Sequence, residues 1–135
     1  MSKQVIHEDN VETLDMPGRA LKWMVTPDSG VAENLSFNVV KIDPGETVRP
    51  AHSHPKHEEL IYIMSGCGEV YIDGEISKIN AGTAVVFPTA SVHQVRNSSD
   101  EEMKIACFFS PSATFDDYIF HEGMGFPPEE DQTHH

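Results

Sequence analysis

Positively charged side chains are scarce in this sequence. The chain carries nine lysine and arginine residues against 22 aspartate and glutamate residues, which gives a formal net charge of -13. Nucleic-acid binding needs a cationic stripe that displaces counterions, and an anionic membrane surface attracts polybasic segments. The sequence therefore predicts no nucleic-acid partner and no membrane partner, and a small molecule is the expected ligand.

Cysteines and long hydrophobic runs are also few. The two cysteines, Cys67 and Cys107, are too far apart for a CxxC motif. This argues against a zinc finger or a dithiol redox motif and favours free thiols in a reducing compartment. No hydrophobic run approaches the roughly 20 residues of a membrane span. The first residues, MSKQVIHEDN, contain no apolar signal region, so we expect a cytoplasmic protein.

Helical periodicity is hard to find, and strand signals take its place. Short β-branched or alternating runs recur between turns that contain glycine, proline or asparagine. About eight or nine strands are predicted, at residues 20–26, 35–42, 46–54, 59–64, 69–73, 76–79, 83–87, 93–97 and 103–109. This spacing is typical of an all-β sandwich or barrel.

The length of 135 residues suits one domain with one hydrophobic core. We predict a single domain over residues 1–135, with a barrel core at about 35–110 and an N-terminal strand segment at 17–27. A C-terminal extension at 111–135 differs in composition, because it is rich in phenylalanine, proline and acidic residues. Its FDDYIF stretch is expected to form a helical turn or a last strand.

The densest group of possible metal ligands is the stretch HSHPKHEE, residues 52–59. Residues i and i+2 of a strand point to the same face, so His52 and His54 project together. On the next strand, Glu59 shares a face with two isoleucines. If that face lines the core, Glu59 needs a nearby cation, because a buried unpaired carboxylate is costly. His93 opens a later strand and offers a fourth donor.

The spacing of these residues resembles the two conserved motifs of the cupin superfamily, G(X)5HXH(X)3-4E(X)6G and G(X)5PXG(X)2H(X)3N. The first motif corresponds to Gly45, His52, His54, Glu59 and Gly66, with six residues between the first two where five are usual. The second corresponds to Gly82, Pro88, His93 and Asn97, with Ala90 where the family has glycine. The resemblance covers roughly residues 35–110 and implies a jelly-roll β-barrel.

The resemblance also implies that His52, His54, Glu59 and His93 bind one divalent transition metal. Three neutral imidazoles and a carboxylate leave a charge of about +1 on the ion and two open positions on an octahedral metal. Manganese, iron, nickel, cobalt and zinc all accept these ligands. Without the ion, we expect Glu59 to take up a proton, because burial disfavours its charged form.

Two kinds of function fit such a site. The first is an enzyme in which the metal acts as a Lewis acid on a small oxygen-bearing metabolite. The resemblance implies a dioxygenase, a decarboxylase or lyase, or an isomerase, and we place the dioxygenase first. The alternative is a non-catalytic, metal-dependent binding or sensor module.

Two other polar residues stand out. His57 lies in the loop at the expected cavity mouth and is either a catalytic base or an ordinary surface histidine. Arg19 is one of few cations in an acidic chain. It either anchors a carboxylate or lies on the surface, and we favour the surface.

A homodimer is the expected oligomeric state. The segment Ala20 to Thr26 is apolar on both faces and precedes the two motifs. The resemblance implies that this strand pairs with the sheet of a partner subunit, which would cover an otherwise adhesive edge.

Overall fold

Strands are the main regular elements in a computed structural model that describes residues 2–127. In chain order they are β1 (Leu14–Met16), β2 (Arg19–Val25), β3 (Ser36–Ile42), β4 (Ala51–Ser53), β5 (Glu58–Ser65), β6 (Cys67–Ile72), β7 (Glu75–Asn80), β8 (Ala84–Phe87), β9 (His93–Asn97), β10 (Met103–Ser110) and β11 (Ile119–His121). Three short 3₁₀ turns cover Glu8–Asn10, Pro27–Ser29 and Phe115–Asp117. Over residues 2–127, no helix has the length and apolar character needed to cross a membrane.

The strands form two antiparallel sheets. The six-stranded sheet has the order β1-β2-β3-β10-β5-β8, and the five-stranded sheet has the order β11-β4-β9-β6-β7. The all-β prediction is confirmed, and most predicted strands agree with the observed ones to within two residues at each end. The exception is the segment predicted at 46–54, of which only Ala51–Ser53 forms a strand. β1 was not predicted, because three residues give too short a pattern to recognise. The FDDYIF stretch forms both a 3₁₀ turn and β11, while residues 128–135 of the predicted C-terminal extension lie outside the described part.

The main hydrophobic core lies on the inner faces of the strands. On β5, buried and exposed residues alternate, so that Glu59, Ile61 and Ile63 point inward. Leu60 and Tyr62 point outward on the same strand. The inward face predicted for Glu59 from strand alternation is therefore confirmed.

Strand β2 is covered only in part on its outer edge. It pairs along its length with β3, whereas the short strand β1 pairs only with Arg19–Leu21 on the other side. The remaining residues of β2 keep an edge on which β1 places no partner. The expectation that this segment pairs with the sheet of a partner subunit therefore stays a prediction.

Candidate metal site

The four predicted ligand residues lie together inside the barrel. His52, His54, Glu59 and His93 are all buried, and one donor atom from each lies within 4.8 Å of the others. Carboxylates and imidazoles are seldom gathered in an apolar interior unless a cation or a hydrogen-bond network compensates for their burial. The cluster has the donor set of a divalent metal site.

Both sheets contribute to this cluster. His52 on β4 and His93 on β9 are direct cross-strand neighbours in the five-stranded sheet. His54 follows immediately after β4. Glu59 is near the start of β5 in the six-stranded sheet. The donor atoms meet only because the two sheets pack face to face, so the site depends on closure of the barrel.

Backbone carbonyl groups orient two of the imidazoles. Nδ1 of His52 lies 3.3 Å from the carbonyl oxygen of Pro50, and Nδ1 of His93 lies 3.2 Å from that of Ser91. A carbonyl oxygen only accepts hydrogen bonds, so we assign the ring proton to Nδ1 in both residues. This tautomer leaves the lone pair of Nε2 available for a metal.

Aromatic rings hold the imidazoles in place. Phe87 stacks on His93 with ring centroids 3.9 Å apart and an interplanar angle of 6°. Tyr118 stacks on His52 at 5.1 Å and meets His54 edge-on at 4.3 Å. These contacts restrict ring rotation, so the donor atoms are preorganised.

A hydrogen bond favours the charged form of Glu59 in the metal-free protein. Burial raises the pKa of Glu59, but the hydrogen bond from His54 Nε2 at 3.0 Å opposes this effect, and the pKa lies below its usual range. The expectation that this carboxylate takes up a proton is wrong, because it weighed desolvation without this hydrogen bond.

Burial favours the neutral form of two of the imidazoles. Burial, followed by the nearby His93, lowers the pKa of His52 well below its usual value. Burial also lowers the pKa of His54, although Glu59 opposes this effect. Both rings are therefore neutral at pH 7, and neutral imidazole is the ligand form.

One unsatisfied contact shows that a cation fits this cluster. His93 Nε2 is buried without a hydrogen-bond partner among the described residues, yet it lies 3.0 Å from Oε1 of Glu59. With the proton on Nδ1, a nitrogen lone pair faces a carboxylate oxygen. Two acceptors in this arrangement repel each other, and a metal ion bound to both would remove the conflict.

The cluster opens onto a cavity of about 40 Å³. Three of the cluster residues, His52, Glu59 and His93, line its wall. The cavity exceeds the roughly 10–15 Å³ that one water needs. It therefore suits a very small ligand or the end group of a larger one.

Four further polar residues of this wall were not assigned to the site from the sequence; they are Arg19, Asn38, Cys107 and Tyr118. Arg19 was expected at the surface and is instead buried, because it begins a strand whose inner face lines the barrel. Cys107 is a buried free thiol, and Cys67 is an exposed one, as the sequence predicted.

Tyr118 is the cavity residue with the most evident chemical use. Burial, followed by the charge of Glu59, raises the pKa of Tyr118 well above its usual value. Its hydroxyl group therefore keeps its proton and remains a donor. No sequence motif marked Tyr118, because it lies in the C-terminal FDDYIF stretch, outside both motifs.

His57 is buried beside the cluster but does not line the cavity. Its Nδ1 lies 2.9 Å from the carbonyl oxygen of Pro111, and its Nε2 lies 3.9 Å from Oδ2 of Asp117. The ring thus contacts the segment that carries Tyr118. The catalytic role predicted for His57 stays a prediction, and the reading as a surface histidine is wrong.

Comparison with known proteins identifies the family. The model of the family described as "Cupin domain" matches residues 38–109. "Polyketide synthase CurC" of Streptomyces cyaneus is 30% identical over 113 residues, which cover 84% of this chain and 73% of that protein.

Two further similarities concern oxalate decarboxylases. A "Probable oxalate decarboxylase" of Arthroderma benhamiae is 32% identical over 108 residues, covering 75% of this chain and 26% of that protein. The crystal structure of Lactobacillus farciminis oxalate decarboxylase in its formate complex has a TM-score of 0.76 and 23% identity, covering 84% of this chain and 34% of that one. The second similarity supports the fold, a cupin-type jelly-roll barrel. On the family match and the buried ligand set, this chain belongs to the cupin domain family.

Proposed function

We propose that this protein is a metal-dependent enzyme of the lyase type that acts on a small oxygen-bearing metabolite. One observation carries the proposal: the predicted ligands His52, Glu59 and His93 line the same cavity as Tyr118, whose hydroxyl group retains its proton. An enzyme needs an acid or a base within reach of the reacting atoms, and a purely structural metal site does not.

The residues that would hold the ion are His52, His54, Glu59 and His93. The bound ion would act as a Lewis acid that stabilises negative charge on a substrate oxygen. Manganese, iron, nickel, cobalt and zinc all fit the donor set. The protein contributes the fixed orientation of the imidazoles and an apolar wall that excludes bulk water.

Tyr118 is the proposed proton donor. Bond cleavage next to an oxygen-bearing carbon leaves a carbanion or alkoxide that must be protonated, and a protonated hydroxyl group at the cavity wall can do this. His57 is the alternative group for proton transfer. Its contacts with Pro111 and Asp117 support a positioning role for the segment that bears Tyr118.

The comparisons favour bond cleavage over oxygen insertion. One relative is named a probable oxalate decarboxylase, and the matched structure is an oxalate decarboxylase in complex with formate. We therefore place the lyase type before the dioxygenase that the sequence first favoured.

The decisive experiment loads the metal-free protein with each of the five metals and supplies a panel of small hydroxy, keto and carboxylic metabolites. Products are followed by mass spectrometry, and dioxygen uptake is followed with an electrode. We expect turnover without dioxygen uptake. It should fall at least about 100-fold in Tyr118→Phe while the metal content is unchanged, and the exposed-residue variant His7→Ala should match the wild type.

Two other outcomes would overturn the proposal. Turnover that strictly consumes dioxygen would assign the protein to the dioxygenase type. Tight metal-dependent binding of a metabolite without turnover in any metal form would identify a binding or sensor module.

We also propose that the protein is a homodimer through the outer face of the six-stranded sheet. Phe37, Phe108, Leu60 and Val86 are cross-strand neighbours on β3, β10, β5 and β8. Phe37 stacks on Phe108 with ring centroids 4.7 Å apart. The side chains of Phe108, Leu60 and Val86 are exposed. A contiguous exposed apolar patch of this kind is typical of a protein interface.

A further inference from the structure

A buried guanidinium group shares the cavity with the predicted metal ligands. Arg19 is 8% exposed, and it lines the cavity together with Glu59 and Tyr118. Arginine is rarely buried this deeply unless its charge is balanced. The position of Arg19 at a ligand cavity therefore calls for an anionic partner.

The two terminal nitrogens of Arg19 have different surroundings. Nη1 donates to the backbone carbonyls of Pro17 at 3.2 Å and Arg49 at 3.4 Å. Nη2 is buried and has no hydrogen-bond partner among the described residues. A buried charged donor without an acceptor is costly. One nitrogen thus fixes the side chain to the barrel, and the other is left without an acceptor.

Metal binding would leave Arg19 without a counter-charge inside this cavity. Glu59 is the one carboxylate among the described residues that line the cavity. Once Glu59 and three neutral imidazoles hold a divalent ion, that site carries about +1. Together with Arg19, the cavity then carries about +2 among largely apolar side chains, and an anion is the natural compensation. This step rests on the proposed metal-dependent function.

The chemistry of the guanidinium group indicates the class of anion. Its planar N–H donors match the geometry of a carboxylate. The guanidinium N–H group and a carboxylate oxygen also form a strong, charge-assisted hydrogen bond. We propose that Nη2 of Arg19 binds the carboxylate of the ligand and that this ligand is a small organic acid.

The test measures binding rather than turnover. Protein loaded with zinc, which is redox-inert, is titrated with sodium acetate by calorimetry, and sodium chloride at matched ionic strength serves as the blank. Acetamide, the neutral isostere, controls for shape. Zinc content is measured by elemental analysis in every variant. We expect Arg19→Gln to weaken acetate binding at least about tenfold while acetamide binding and zinc content are unchanged.

Arg49→Gln is the matched control, because Arg49 is exposed and pairs with Glu46. It should bind acetate like the wild type. Arg19→Gln could fail to fold, because Nη1 also donates to two backbone carbonyl groups. In that case the acetate affinity of Arg19→Lys tests the proposal. Lysine keeps the charge but lacks the second nitrogen, so we expect at least about a threefold loss.

Three results would count against the proposed role of Arg19 in carboxylate binding, and each of them contradicts a different part of the proposal. Unchanged acetate affinity in the folded Arg19 variant, with zinc retained, overturns the role of Arg19 alone. Tighter binding of inorganic phosphate than of acetate overturns the carboxylate class. Failure of the wild type to bind zinc or any other of the five metals overturns the proposed function itself.

Discussion

The inner and outer faces of strand β5, in the six-stranded sheet, each depart from the usual distribution of polarity at particular positions. On β5, the inward Glu59 is 6% exposed, whereas the outward Leu60, Tyr62 and Met64 are 42%, 47% and 49% exposed. A sheet with one solvated face ordinarily carries apolar residues inside and polar residues outside. Here the strand places a carboxylate among the buried residues and large apolar side chains at the surface.

The buried carboxylate and the exposed apolar side chains are both unfavourable in an isolated chain. We therefore expect an ion to bind at the first and another protein surface to bind at the second. A buried carboxylate requires compensation, and an exposed apolar patch favours association. Because strand residues alternate strictly between faces, a shift of one residue would exchange the two sets. The same alternation therefore positions both the proposed metal ligand and the proposed interface.

The largest effect is expected on the inner face. In His93→Ala, the metal content should fall from about one ion per chain to near zero. The melting temperature measured with metal present should fall too, because an ion at 100 times its Kd contributes about 2.7 kcal/mol of stability. Elemental analysis and calorimetry check both results, with His7→Ala as the control. Unchanged metal content in His93→Ala would rule out the four-ligand site.

The next effect is expected on the outer face. Leu60→Glu places a charge at the centre of the apolar patch, between Phe108 and Val86. We expect a dimer of the wild type and a monomer of the variant by light scattering at micromolar concentration, with metal content unchanged. Glu75→Lys, at an exposed position on the other sheet, should remain dimeric. A wild-type monomer would refute the proposed interface.

A smaller effect is expected on acidification of the metal-free protein. The pKa of His52 is lower in the folded chain than its usual value, so the unfolded chain binds more protons as the pH falls below about 6.5. Between pH 7 and pH 5 this should remove roughly 1–2 kcal/mol of stability. Glu59 adds to the loss only below about pH 4.5, because its pKa is also lowered.

The denaturation midpoint in urea, measured across this pH range, tests the prediction. His52→Gln should reduce the slope of stability against pH, since it removes one of the buried groups that must charge. A stability that rises on acidification would contradict the assigned neutral state of the imidazoles.

The smallest effect is expected at a position that belongs to neither face. Ala90 occupies a left-handed conformation with φ of 66°, in the turn where the family motif has glycine. Its backbone nitrogen donates to the carbonyl oxygen of His54 at 3.0 Å. Ala90→Gly should relieve the contact of Cβ and raise the free energy of unfolding by about 0.5–1 kcal/mol. Thermal unfolding would measure this increase in stability, and the metal content should be unchanged.

Strand alternation made most of the metal cluster predictable. The positions of His52, His54 and Glu59 relative to the core follow from the period of two, and His93 follows from the second motif. Arg19 and Tyr118 were not predictable in this way. Their arrival at the cavity depends on how distant segments pack, with β2 beside β3 and the C-terminal segment over His52. The charge state of Glu59 was also missed, because it depends on imidazoles contributed by other strands.

The C-terminal segment has an implication for how such a protein diversifies. Tyr118 and the strand β11, which pairs with β4 opposite His52, come after all of the proposed ligands in the chain. Residues before Ser110 thus supply the proposed metal ligands and Arg19, whereas the residues after it supply the proposed proton donor. Grafting a different tail after Ser110 would change the acid offered to a ligand, and it would also remove the ring that stacks on His52.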